Sequence, residues 1–73
     1  MVVHGGTLKG AFKGFRDRET VFEFTDGQRW RQNEYKYHYH YAYRPDAKIL
    51  QKGSTYFIEV EGVDESVEVI QIR

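Results

Sequence analysis

Aromatic tyrosines alternate without a break with smaller or basic residues over residues 35–43. Tyr35, Tyr37, Tyr39, Tyr41 and Tyr43 take the odd positions, and Lys36, His38, His40 and Ala42 fill the even ones. A period of two over nine residues belongs to an extended strand, whose successive side chains point to opposite faces, and excludes a helix face. All five phenols therefore share one side. Fully extended, the segment would measure about 30 Å, long for so small a domain, so it is expected to bend or overhang. Arg44-Pro45-Asp46 ends it.

The rest of the chain also reads as strands and turns, with no helical periodicity and no internal repeat. Thr7 to Phe15 is a first strand, with Leu8, Gly10, Phe12 and Gly14 on one face. Glycines inside a strand signal a bend or a close backbone approach. Arg16-Asp17-Arg18-Glu19 is a charged turn. Thr20 to Gln32 is a hairpin around Asp26-Gly27. A two-residue loop would set Phe22 against Arg31 and Glu23 against Trp30. A three-residue loop of Thr25, Asp26 and Gly27 sets Phe22 against Trp30 and Glu23 against Arg29, an aromatic pair and an ion pair. Such pairs are worth roughly 0.2–1 kcal/mol each, so the three-residue register is predicted. Phe22, Phe24 and Trp30 then face the core, and Arg29 and Arg31 face outward.

Ala47 to Glu61 is a second hairpin, turning at Gly53-Ser54, where glycine suits the first position of a type II′ turn. That register pairs Leu50 with Phe57, Ile49 with Ile58 and Lys48 with Glu59. Gly62 to Ser66 is an acidic loop and Val67 to Arg73 a last strand, with Val69-Ile70 as a candidate bulge. Five or six short antiparallel strands bury most as a strongly curved small barrel. An SH3-like barrel is preferred, because the strands are short and no helix intervenes; an OB-like barrel or an open curved sheet is the alternative.

Composition sharpens this picture. The 73 residues suffice for one domain and not two. There is no cysteine, which excludes a disulfide framework, a thiolate zinc site and a cysteine nucleophile. Small domains usually need a staple, so large aromatics, a metal or a partner chain must serve. Aromatic residues are 16% of the chain; Phe12, Phe22, Phe24, Trp30 and Phe57 are the core candidates. Eleven Lys+Arg balance eleven Asp+Glu, which argues against a generic polyanion binder. The balance hides a division. Residues 1–52 carry ten Lys+Arg and six Asp+Glu, net +4, whereas residues 53–73 carry one and five, net −4. Opposite patches would favour self-association or a charged partner. Nothing in the sequence resembles a signal peptide or a membrane span, so a cytoplasmic protein is expected.

The stretches Gly-Ala-Phe-Lys-Gly-Phe at 10–15, Val-Phe-Glu-Phe-Thr-Asp-Gly-Gln-Arg-Trp-Arg-Gln at 21–32, the tyrosine run ending in Arg44-Pro45, and Val60-Glu61-Gly62-Val63 carry a resemblance. The chain resembles a family of short, functionally uncharacterised bacterial proteins marked by a V-F-x-L-x-N-G-Q-x-W-x-Q hairpin followed by a tyrosine-rich strand. Phe24 and Asp26 stand where that family often has Leu and Asn. The resemblance implies a small β-barrel and carries over no catalytic residue.

Candidate chemistry is sparse. His38 and His40, at i and i+2 on one strand face, could reach one metal ion, with His4, Asp46 or Glu34 as a third ligand. The plainer reading is two surface histidines opposite the tyrosines. Ser54 and Ser66 read as turn residues. Gly5-Gly6 and Gly10/Gly14 lack the lysine-serine ending and helix of a phosphate loop. Neither an enzyme nor a cofactor is expected. The tyrosine row admits three readings: core, protein interface, or a stacking platform for single-stranded nucleic acid or a sugar. The leading expectation is a protein or peptide interaction module, with a second copy of itself as one candidate partner, that uses Tyr35, Tyr37, Tyr39, Tyr41 and Tyr43 with Arg29, Arg31 and Arg44. The alternative is a module that binds single-stranded nucleic acid or an oligosaccharide on stacked aromatics, nucleic acid being disfavoured by zero net charge.

Overall fold

A computed structural model describes residues 1–72. Eight short strands run in chain order: β1 (Val2–Thr7), β2 (Ala11–Phe12), β3 (Val21–Glu23), β4 (Arg29–Gln32), β5 (Ala42–Tyr43), β6 (Asp46–Lys52), β7 (Thr55–Val60) and β8 (Ser66–Ile72). Six of them form one antiparallel sheet in the order β1-β6-β7-β8-β4-β3, and β2 pairs with β5 in a second. The protein is all-β, as expected, but two anticipated strands are interrupted. The Thr7–Phe15 segment bends at Lys9-Gly10, and strand structure begins earlier, at Val2. Of the tyrosine run, only Ala42–Tyr43 lies in a ladder, with a single further bridge at His38–Phe15. Just beyond the two edge strands of the large sheet, Leu8 and Phe24 form an isolated bridge. It is flanked by hydrogen bonds from Thr25 N to Thr7 O (2.9 Å) and from Lys9 N to Glu23 O (2.8 Å).

Both hairpins take the registers that side-chain chemistry favours. Phe22 lies opposite Trp30 and Glu23 opposite Arg29. The turn holds Gly27 at φ 97°, a left-handed conformation that glycine adopts without steric cost. The Glu23 carboxylate approaches Lys9 Nζ at 3.7 Å instead of forming the expected pair with Arg29. In the second hairpin Leu50 faces Phe57, Ile49 faces Ile58 and Lys48 faces Glu59, with Gly53 at φ 62° in the turn. β8 pairs evenly with β7 and β4, so Val69-Ile70 is not a bulge. Val67 and Val69 point inward and Ile70 is an apolar residue on the outer face. The register shift lies instead in β1, between Val2 and His4. Ser66 opens β8 rather than sitting in a turn.

The core has an aromatic and an aliphatic half. Phe12, Phe15 and Phe22 pack with ring centroids 5.9–6.1 Å apart, beside buried Phe24 and Trp30. Ile49, Ile58, Val60, Val67 and Val69 come from β6, β7 and β8. Phe57 is not among the core residues. Ile58 is fully buried, so strand alternation puts its neighbour Phe57 on the outer face, half-buried and 6.0 Å from Lys52 Nζ. Phe15 takes the place expected for it, because Gly14 turns the chain at φ 93° and sends Phe15 inward. Arg73, the end of the expected last strand, lies outside the described residues.

Candidate functional site

The tyrosine row faces solvent. Tyr35, Tyr37, Tyr39, Tyr41 and Tyr43 are 76%, 68%, 63%, 55% and 69% exposed, which rules out the core reading. The even residues between them are partly buried and fasten the segment to the body. Lys36 Nζ donates to the Ser66 carbonyl at 2.8 Å and lies 3.7 Å from the Glu65 carboxylate. His38 Nδ1 is 3.1 Å from the other oxygen of Glu65. The His40 ring lies 6.5 Å from that of Phe12 and borders Gly62, where a Cβ would come within 3.3 Å of its Nε2. The acidic 62–66 loop thus receives the basic side of the strand. Part of the charge division seen in the sequence is satisfied within the chain.

Two further residues hold this geometry. Gln32 is fully buried, and its amide is the hub of the segment's first turn. Its Oε1 accepts from Arg16 N at 3.1 Å, and its Nε2 donates to the carbonyls of Glu34 at 2.9 Å and Lys36 at 3.0 Å. Sequence reasoning passed over Gln32. Its signal was parity: two residues beyond Trp30 on one strand, it shares Trp30's inward face. Asn33 and Glu34 complete the join, through Asn33 Nδ2 to Glu68 Oε2 and Glu68 N to Glu34 Oε1. Gly14 is the second. A Cβ there would fall 2.0 Å from His38 O, 2.8 Å from His40 N and 2.9 Å from Tyr39 Cα. The two backbones touch, and only glycine fits between them.

The expected arginines are less closely gathered. Arg29 and Arg31 leave the outer face of β4, opposite buried Trp30 and Gln32. Arg31 Nη1 donates to the Arg18 carbonyl at 2.7 Å. Arg44 directly follows the row, exposed and at φ 52°. Among the described residues, the sole cation over a ring is Lys52 beside Phe57, so none of these guanidiniums stacks on a tyrosine. Lys13 was not singled out from sequence. It is exposed, two residues beyond Ala11, which pairs with Tyr43, and so it flanks the row. The metal candidates diverge: His38 turns to Glu65, His40 to Gly62, and His4 Nε2 lies 3.3 Å from Asp26. Among the described residues no three His, Asp or Glu side chains converge on one point.

The strand also exposes backbone. Phe15 N donates to His38 O at 2.9 Å, His38 N to Phe15 O at 2.8 Å, and Arg44 N to Gly10 O at 2.9 Å. The even peptide groups thus face residues 10–15. In an extended chain the odd ones point the opposite way. Among the described residues, no backbone hydrogen bond outside the strand ladders engages Tyr35, Tyr37, Tyr39 or Tyr41. The row is therefore both an aromatic face and an open strand edge. Searches with the chain found no matching family model, no matching curated protein and no matching solved structure.

Proposed function

We propose that this chain is a non-enzymatic interaction module that binds an extended polypeptide along Tyr35–Tyr43. The observation that carries this reading is the row of five exposed phenols on one side of a fastened strand. At about 150–250 Å² per ring, their exposed fractions make a surface on the order of 600 Å². That equals the largest apolar patch of a typical monomer, and approaches the roughly 800 Å² that one partner contributes to a stable protein interface. Tyrosine is enriched in such interfaces because its ring supplies area and its hydroxyl finds a partner. The open peptide edge adds main-chain hydrogen bonding, as in strand addition.

The scaffold we propose is a small, strongly curved barrel of SH3-like kind. The Leu8–Phe24 bridge and its two flanking hydrogen bonds, which bring the sheet edges together, support it. The resemblance to short bacterial proteins fits the same reading, since the hairpin and the tyrosine strand that carry it are joined through Gln32.

The test is selection of linear peptides displayed on phage, repeated on the Tyr39→Ser/Tyr41→Ser double variant. Peptides selected on the wild-type protein should bind the variant at least about tenfold more weakly, a loss of about 1.4 kcal/mol, while its thermal midpoint is retained. Equal binding refutes the reading, and so does a variant that unfolds, because the tyrosines would then hold the fold. The second reading is single-stranded nucleic acid stacked on rings about 6.7 Å apart along the strand. It is favoured by exposed Lys13 and Arg44 beside the row. It requires a labelled oligothymidylate to bind with an affinity that falls steeply with salt.

A further inference from the structure

The segment 34–44 reads Glu-Tyr-Lys-Tyr-His-Tyr-His-Tyr-Ala-Tyr-Arg. About Tyr39 it is nearly a palindrome: tyrosine mirrors tyrosine at every odd position and His38 mirrors His40. Its two ends carry opposite charges, Glu34 and Arg44. A strand of this kind is complementary to itself when turned antiparallel. Its odd peptide groups already lie along an open edge, as described above. Two of the usual guards against edge pairing, proline and an outward lysine, are absent from it. There is no proline between Tyr35 and Tyr43, and the one lysine, Lys36, is turned inward onto Ser66 and Glu65.

We propose that the partner of the tyrosine edge is a second copy of the same edge, paired antiparallel about a two-fold axis at Tyr39. This rests on the interaction-module reading and names its partner. Hydrogen-bonded positions must be odd against odd, because only the odd peptide groups face outward. Three such registers pair at least four of the five tyrosines, and charge separates them. Centring the axis on Tyr39 sets Tyr37 against Tyr41, Tyr35 against Tyr43, and Arg44 at both ends against Glu34, whose Oε1 stays on Glu68 N and whose other oxygen remains to pair. Moving the axis one residue toward the C-terminus takes Glu34 away from Arg44 and sets Lys36, held inward by Ser66 and Glu65, in its place. Moving it one residue toward the N-terminus sets Glu34 against Ala42 and leaves Arg44 without its carboxylate. Opposite charges across a strand pair stabilise it and like charges oppose it, so the Tyr39-centred register is selected. The two copies would exchange about ten main-chain hydrogen bonds over five residue pairs. Each strand is fastened on its other flank to residues 10–15, so pairing disturbs no internal bond. The two tyrosine rows then become one continuous face. The contact is isologous and closed, which limits it to a dimer.

The chain's lack of cysteine makes the test direct. Light scattering on the wild-type protein should give twice 8.7 kDa at high concentration and half that on dilution. In the Tyr39→Cys variant, residue 39 faces its own copy at a Cα separation of about 5.5 Å, within disulfide range. Mild oxidation should crosslink it about tenfold faster than Ser54→Cys, an exposed turn site on the second hairpin. Tyr37→Cys and Tyr41→Cys should crosslink slowly alone and rapidly when mixed. A single 8.7 kDa species up to about 1 mM overturns the proposal, since that is a negligible affinity. So does a dimer in which Tyr39→Cys reacts no faster than Ser54→Cys. A strictly monomeric protein that still loses selected peptides with Tyr39→Ser/Tyr41→Ser removes the self-pairing and keeps the broader reading; loss of both removes each.

Discussion

Gly14→Ala isolates the contact that sets the tyrosine strand in place. Two costs are expected. Gly14 sits at φ 93°, and forcing a residue with a Cβ into such a conformation costs about 1–2 kcal/mol. The second cost is steric. The added methyl would meet three backbone atoms of residues 38–40 at 2.0–2.9 Å. A backbone cannot rotate aside as a flexible side chain can. The strand must lift away, which breaks the two hydrogen bonds between Phe15 and His38 at about 0.5–1.5 kcal/mol each. The sum is about 2–5 kcal/mol, against a total stability of about 4–11 kcal/mol for a domain of 73 residues. The matched control is Gly10→Ala. Gly10 has φ 72°, but nothing lies within 4 Å of its Cβ position, so only the conformational cost of about 1–2 kcal/mol applies. Urea unfolding followed by Trp30 fluorescence measures both variants, since Trp30 is buried in the core. Gly14→Ala should lose at least about 1 kcal/mol more than Gly10→Ala. Equal losses would refute the claim that close backbone contact, rather than glycine's conformation, positions the strand.

Gln32→Leu should cost about 2–4 kcal/mol, because it strands the Arg16 N–H and two carbonyls that the amide now satisfies; hydrogen exchange should quicken first at residues 34–40. Phe15→Ala should cost about 3–5 kcal/mol in denaturant unfolding and Phe57→Ala clearly less, since Phe15 is fully buried and Phe57 is not. Glu65→Gln removes the carboxylate shared by Lys36 and His38, but these groups are a third to a half exposed. A stability loss below about 1 kcal/mol is therefore expected, and it should shrink further in high salt.

Where local chemistry set the outcome, the sequence was legible. The register of each hairpin followed from which residues face each other across a glycine turn, and Phe22–Trp30 and Ile49–Ile58 needed no tertiary information. Even the close approach at Gly14 was signalled by a glycine inside a strand pattern. What failed was long-range. Glu23 chose Lys9 over Arg29 because the start of the chain folds back beside β3, some 14 residues from Glu23. Phe15 and Phe57 exchanged roles for two reasons. Phe57's exclusion was in fact implied by the pairing of Ile49 with Ile58, since its neighbour must face the other way. Phe15's inclusion depended on the turn at Gly14, which periodicity does not report. The eight-strand count was illegible for a similar reason: extended segments such as 34–41 find few ladder partners, and pattern alone does not reveal who stands beside a strand.

The orientation of the tyrosine strand runs against the simple expectation from hydrophobicity. Burying a large apolar side chain is worth about 1.5–3 kcal/mol, so five phenols on one face should favour turning that face inward. A slip of one residue would do it, since it exchanges the faces of a strand. Three features oppose that slip. Space is one: Phe12, Phe15 and Phe22 already pack within about 6 Å of one another beneath the strand, where five more rings would overfill a core that tolerates little added volume. The alternation itself is another, because Lys36 and His38 match Glu65 and Ser66 only in the observed register. Gly14 and Gln32 supply the third, gripping the backbone of residues 34–40 from two sides. The polar face is thus the one that folds the strand down, and the aromatic face is left over. Stability within one copy does not require five exposed tyrosines; serine or lysine at those positions would satisfy the same anchors at less risk of aggregation. The exposed rings are therefore what the proposed interaction surface rests on, and the oppositely charged ends of a near-palindromic strand are what the proposed pairing rests on.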